Sequence, residues 1–438
     1  MDGMLRLIDA RHDLRLAVRA LAEMAPPGLP DLVVERAAEI VNAVRERGDD
    51  ALIEYTRRFD WPGATPEGLA VQEDELARAF SEVDRDWLRA LRRAKDNLYR
   101  YHERHAPRSW LQDFDGLLLG QHIKPVGSAG LHVPGMTASL PSTVIHAAVP
   151  AAVAGVPRVV IVTPPRSDGS ISPERLVAAV ECGVGEVYRI GGAQAIAALA
   201  FGTDSVPAVD KVVGPGNPYA IAAKQLVYGQ VGIDSLAGPS EAVLIADASA
   251  DPRLVAVDFL TQAEHTGDNL VVLITPDEGL LDQVVEHLDD LLLRLDRDEI
   301  IRQSLSDCGA LVIVESLHQA LDLANELAPE HLQLLVEDPF AWLSEVQACG
   351  ALFLGPNSPV PLGDYAAGPS HILPTDRAAR FSSGLSVHDF VTFTSVISAS
   401  HRAVAALAED VILLAEAEGL TAHAEALRYR VSSPGNQD

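Results

Sequence analysis

Between residues 159 and 354 the chain alternates short β-branched runs with segments long enough to be helices, and this alternation narrows the folds open to it. The runs are Val159–Thr163, Glu186–Ile190, Lys211–Val213, Ala242–Ala246, Leu270–Thr275, Ala310–Val314, Leu332–Val336 and Ala351–Leu354. Strands separated by helices imply βαβ units, and βαβ units imply mostly parallel sheets covered on both faces. Eight strands could make one large sheet or two smaller ones. The Gly- and Pro-rich stretch 214–239 marks a junction and favours two Rossmann-like α/β halves.

The flanks read as helical. Residues 33–59 predict two helices broken at Gly48, with Ile40, Val41 and Val44 as an apolar stripe. Leu88, Leu91 and Leu98 place a helical stretch at 75–103. In His401–Glu418, Val404, Leu407, Val411 and Leu414 recur at spacings of three and four, and Glu418 falls next on that stripe. Gly419 stops the helix, and a short one begins near Thr421.

A length of 438 residues, 48% of them apolar, allows two or three packed domains. No apolar run reaches membrane-spanning length. The charged start MDGMLRLIDARHDLRL lacks the apolar centre of a signal peptide, so the expected compartment is the cytoplasm. Cys182, Cys308 and Cys349 are scattered, which reads as idle thiols rather than a metal site or nucleophile. A net charge of -28 argues against nucleic-acid binding and mildly favours a cationic substrate.

Several segments carry chemistry-bearing residues. In Leu254–Gly267, Gln262 and His265 continue an apolar helical stripe and neighbour each other three residues apart. They are either a polar helix end or two metal ligands aimed into a cleft. Glu330 and His331 form an acid–imidazole pair just before a strand: an exposed turn, or a water-activating acid beside a base titrating near neutrality. Asp364 and His371 share a Gly- and Pro-rich loop, either as turn chemistry or as an oxygen ligand and a substrate contact. Glu418 continues a buried-looking stripe, and a buried carboxylate is costly unless paired. Ser240 lies in a turn before a strand, where it either contacts a ligand or ends the turn. The turns at Gly191–Gln194 and Gly214–Asn217 follow strands and could present N–H groups to a phosphate; Gly130–Gly135 is a third tight turn, and none reads GxGxxG. His102, His105, His146, His287 and His401 carry no partner signal.

Taken together, the runs VDKVVGPGNPYAIAAK, GIDSLAGPSEAVLIAD, DFLTQAEH, LAPEHLQL, GDYAAGPSHILPT, FSSGLSVHDFVTFTSVI and AEGLTAHAEAL resemble, in order, those of the histidinol dehydrogenase family. RERGDDALIEYTRRFD resembles that family's N-terminal helix pair. The resemblance implies oxidation of L-histidinol through bound histidinal to L-histidine with two NAD, the last step of histidine biosynthesis. It implies one zinc per subunit and an intertwined homodimer with shared active sites. Its zinc ligands would be Gln262, His265, Asp364 and His423, the last from the partner subunit, and its catalytic pair Glu330 and His331. The ligands and His331 would also touch substrate, with Ser240, His371 and Glu418. Gln194, Asn217 and His132 would contact NAD. His132 stands where the family usually has tyrosine, which implies altered NAD affinity. The expected organisation is an N-terminal helical arm (1–29), a first α/β domain (30–131 with 242–383), a second Rossmann-like domain (132–241) and a C-terminal helical tail (384–438). The alternatives are a related zinc- and NAD-dependent enzyme acting on another amino alcohol or a sulfonated diol, and a zinc hydrolase or metal-binding module.

Overall fold

The computed structural model of the protein describes residues 5–24, 28–135, 140–264 and 268–432. His265, Gly267 and Met136 lie outside the described residues. Two compact units divide the chain, residues 1–105 with 126–390, and residues 106–125 with 391–438.

β1 (Arg6–Asp9) opens the chain, and β2 (Trp110–Phe114) and β3 (Leu117–Pro125) form a hairpin. β4 (Ser128–His132), β5 (Arg158–Val162), β6 (Glu186–Tyr188), β7 (Lys211–Val213) and β8 (Gly232–Ile233) make a parallel sheet in the order β6-β5-β4-β7-β8. β9 (Glu241–Ala246), β10 (Leu270–Thr275), β11 (Gly309–Ile313), β12 (His331–Leu335) and β13 (Ala351–Leu354) join β1 in a second parallel sheet, ordered β1-β11-β10-β9-β12-β13. β14 (Val391–Ala399) pairs antiparallel with β3.

All eight strands expected from the β-branched runs are present, and they fall in two sheets. In each sheet the first strand of the half lies centrally, and the chain reverses direction beside it, between β4 and β7 and between β9 and β12. β9 and β10 are buried at every position, because helices cover both faces of their sheet. Ser172, Asn217, Asp251 and Ser316 cap the helices that follow, each accepting a backbone N–H of the first turn.

Helices Asp31–Arg47 and Asp49–Phe59 break at Gly48 as expected, with φ +56 there. They share one core with the five-stranded sheet and helix Gly192–Phe201. The 75–103 stretch is two helices, Glu73–Ala79 and Arg85–His105. The Asp84 carboxylate restarts the second by accepting the N–H groups of Asp86 and Trp87.

Two expectations need correction. Among the described residues of the N-terminal arm the helix covers Leu14–Met24 alone, and β1 adds a strand at the edge of the six-stranded sheet, from Arg6 beside Ala310 to Asp9 beside Ile313. Only Ile8 of β1 is buried, so an edge strand this short shows almost no apolar alternation. The C-terminal tail is not helical throughout: one 3-10 turn, Val387–Phe390, and the nine residues of β14 precede its helices.

In the second unit the sheet order is β14-β3-β2, turned at Asp115-Gly116 with positive φ at both residues. Helices His401–Ala417 and Thr421–Ser432 pack on each other and bury Ala403, Ala408, Ala415 and Ala424. The stripe through Leu407, Val411 and Leu414 is exposed instead.

Candidate active site

Glu241 opens β9 and His331 opens β12, its neighbour in the sheet. The site therefore gathers at the amino ends of two adjacent parallel strands, at the point where the sheet reverses direction. Ligands of open α/β sheets more often bind at the carboxyl ends.

Glu330 and His331 are 6% and 4% exposed, so the exposed-turn reading of this pair fails. The Ser240 hydroxyl donates to the Glu330 carboxylate, and so does the Glu241 N–H, at 3.2 Å. Burial pushes the Glu330 carboxyl above the ordinary range against the opposing pull of His331. His331 Nδ1 lies 3.3 Å from the Glu241 carbonyl and 3.6 Å from Glu330 Oε2. Both are acceptors, so Nδ1 carries a proton, and Nε2 faces an acceptor in turn. Nε2 is 3.6 Å from Asp364 Oδ1. Burial opposes the charged imidazole, but Glu330 and Asp364 outweigh it and hold His331 above its usual pKa.

Asp364 sits on the short helix Val360–Tyr365, which packs against helix Pro252–Ala263. Gln262, one residue from the end of that longer helix, is 1% exposed. Its backbone carbonyl accepts from Asn269, yet neither side-chain amide atom has a hydrogen-bond partner. A buried amide left unpaired is costly, and it fits a ligand-holding role.

His371 Nδ1 donates to the Asp364 carbonyl at 2.8 Å, and the Thr143 hydroxyl donates to Nε2 at 3.2 Å. Its ring stacks on His146 with centroids 4.0 Å apart, and its N–H donates to His146 Nδ1. His146 is fully buried, and burial holds it neutral. Its place beneath His371 was not legible in the sequence, because one histidine on an apolar helix carries no periodic signal. Glu241 was missed in the same way.

Glu418 caps the end of helix His401–Ala417 and is exposed, which corrects the buried stripe on which it was placed. Among the described residues that stripe has no cover. His423 is exposed in the first turn of the last helix. Both belong to the second unit. Burial pushes the Cys182 and Cys349 thiols up to about 12 and about 11, so neither is poised as a thiolate.

The expected cofactor turns lie at the five-stranded sheet. His132 ends β4 with its ring buried and Nδ1 donating to the Pro215 carbonyl at 2.7 Å. A Cβ on Gly216 would come within 2.7 Å of Ala220 and 3.2 Å of the His132 ring, so the turn is as tight as glycine permits. A buried Lys224–Asp234 ion pair braces it, with Lys224 donating to the Gly214 carbonyl and Asp234 accepting the Gly214 N–H. Asn217 Oδ1 caps the following helix. Gln194 donates to Asp60 Oδ2, and the same oxygen accepts the Gly191 N–H.

Burial raises the Asp60 carboxyl to about 6. The folded chain thus holds a proton that the unfolded chain has released, and stability falls as pH rises from about 4 to about 6. Asp60→Asn keeps an oxygen for both N–H donors and removes the charge. The variant is expected to be more stable at about pH 7.5, by at most about 3 kcal/mol, with the gap closing near pH 4. Denaturant midpoints at the two pH values check this, and a less stable variant at the higher pH contradicts it.

A sequence profile described as histidinol dehydrogenase matches residues 30–431. A histidinol dehydrogenase of Heliobacterium mobile is 49% identical over 397 residues, 90% of this chain and 93% of that one. One of Thermosynechococcus vestitus is 45% identical over 429 residues, 98% of this chain and 100% of that one. The crystal structure of histidinol dehydrogenase from Elizabethkingia anophelis superposes with a TM-score of 0.93 at 32% identity, covering 98% of each chain. With the buried acid–imidazole pair between two parallel strands and a match along nearly the whole length, the chain belongs to the histidinol dehydrogenase family.

Proposed function

We propose that the protein oxidises L-histidinol through histidinal to L-histidine with two NAD, closing histidine biosynthesis. The observation that carries this reading is the Glu330–His331 pair, buried and oriented by the Glu241 backbone, with the imidazole Nε2 facing Asp364. Relatives sharing about half of its residues bear the histidinol dehydrogenase name, and none of these points to another alcohol.

The alcohol carbon gives up hydride readily only as its oxygen loses a proton. His331 Nε2 takes that proton, and the neighbouring carboxylates strengthen it as a base. The aldehyde must then add water before a second hydride leaves. Glu330, its carboxylate held by Ser240 and the Glu241 N–H, draws a proton from that water. As water adds, His331 passes its first proton to the aldehyde oxygen, and the neutral imidazole then accepts the proton of the second oxidation. No cysteine adduct is required.

Gln262, with its unpaired buried amide, fits a zinc site, and Asp364 adds an oxygen donor. His265, and His423 of a second copy, complete the proposed ligand set. Bound by these residues, zinc would supply a Lewis acid able to hold substrate nitrogens. NAD would supply the hydride acceptor, and Gln194, Asn217 and His132 are proposed to hold it at the turns of the five-stranded sheet. Leu414 and Ile397 of the second unit are 66% and 74% exposed, which supports a homodimer whose second copy covers them. Ser240, His371 and Glu418 are proposed substrate contacts.

Chelation of divalent metal is expected to cut histidinol-dependent NADH formation at least about a hundredfold, with zinc restoring it. A chelated enzyme at full rate would remove the metal from this reading. No NADH from histidinol in the metal-loaded enzyme would remove the reading itself.

A further inference from the structure

Backbone groups at the amino end of a parallel strand pair lie beyond the ladder and need other partners. Glu241 supplies them around the catalytic pair. Its N–H donates to Glu330 Oε2 at 3.2 Å, while its own Oε2 accepts the Glu330 N–H at 3.3 Å. Its carbonyl accepts from His331 Nδ1, and its Oε1 accepts the Asp376 N–H at 3.0 Å. One residue thus holds the acid, the base and the loop at 376.

Glu241 is only 7% exposed, and among the described residues no ion pair joins it to a lysine or arginine. A buried carboxyl beside another carboxyl is destabilising by itself, and a neutral side chain would make a cheaper brace. Burial, and then the charge of Glu330, push the Glu241 carboxyl up to about 8, so near neutral pH it holds its proton.

We propose that the Glu241 side chain is a positioning group for the reaction: by holding the Glu330 and Asp376 N–H groups it sets the 241 backbone against the Glu330 carboxylate and His331 Nδ1. The inference rests on the histidinol reading above.

Three variants test it in single-turnover assays with histidinol and with histidinal. Glu241→Ala removes the side-chain grip and is expected to lower kcat about a hundredfold in both halves, leaving KM for histidinol within about threefold. Glu241→Gln keeps the length and the neutral charge of the group and loses one N–H acceptor. It is expected to recover to within about tenfold of the parent protein. Glu241→Asp keeps the acid but withdraws it by a methylene, and is expected to stay below the Gln variant.

A kcat unchanged in Glu241→Ala, or a loss carried by KM alone, overturns the proposal. So does a Gln variant worse than the Asp variant, a comparison that decides the matter if the Ala variant does not fold. A parent protein active on histidinol, with Glu241→Ala keeping pace, overturns only the role of Glu241. A zinc-loaded parent inactive on histidinol overturns the functional reading and this inference together.

Discussion

Glu330→Gln is expected to slow oxidation of histidinal about a thousandfold and oxidation of histidinol far less. The substitution preserves volume, and the Gln oxygen still accepts from the Ser240 hydroxyl and the Glu241 N–H. What disappears is a buried negative charge and the ability to take a proton from water. The aldehyde half needs both, since hydride leaves only after water has added. The alcohol half needs Glu330 only indirectly, as one of the two carboxylates that raise the basicity of His331. Its loss weakens the base without removing it. Single-turnover rates starting from histidinol and from histidinal separate the two halves. Equal slowing of both would assign Glu330 to structure rather than to water activation.

His331→Asn is expected to slow both halves, each by about a hundredfold or more. An Asn amide keeps a donor for the Glu241 carbonyl and has no basic nitrogen to replace Nε2. Each oxidation releases one proton from an oxygen, so neither half escapes. Because the residue is buried at the start of β12, the shorter side chain also leaves a small void. Melting temperature measured alongside the rates separates lost stability from lost proton transfer. Rates at neutral pH equal to those of the parent protein would remove His331 from the mechanism.

The central strands were legible because they are buried on both faces, so β9 and β10 read as unbroken apolar runs. β2, β3 and β14 were not, since most of their residues face solvent and alternation is faint. Asp115-Gly116 was a signal for their hairpin, as that dipeptide favours the turn it makes. The candidate pair was visible as an acid beside an imidazole. Its burial was not, because LAPEHLQL reads equally well as an exposed turn. The terminal helix misled in the other direction: its apolar stripe is genuine, but within one chain the alanine face is the covered one.

Periodicity and residue type, which act over a few neighbours along the chain, determined eight of the strands, most helices, the two parallel sheets and the residues able to do acid–base chemistry. The tertiary structure alone decided that Glu241 meets Glu330 and that His146 lies under His371. Those residues are 89 and 225 positions apart. Only the register of β9 against β12 and the packing of helix Pro141–Ala154 under the 371 loop bring them within hydrogen-bond reach. Such contacts are set by how layers stack across the whole molecule, a quantity that no local run of sequence contains.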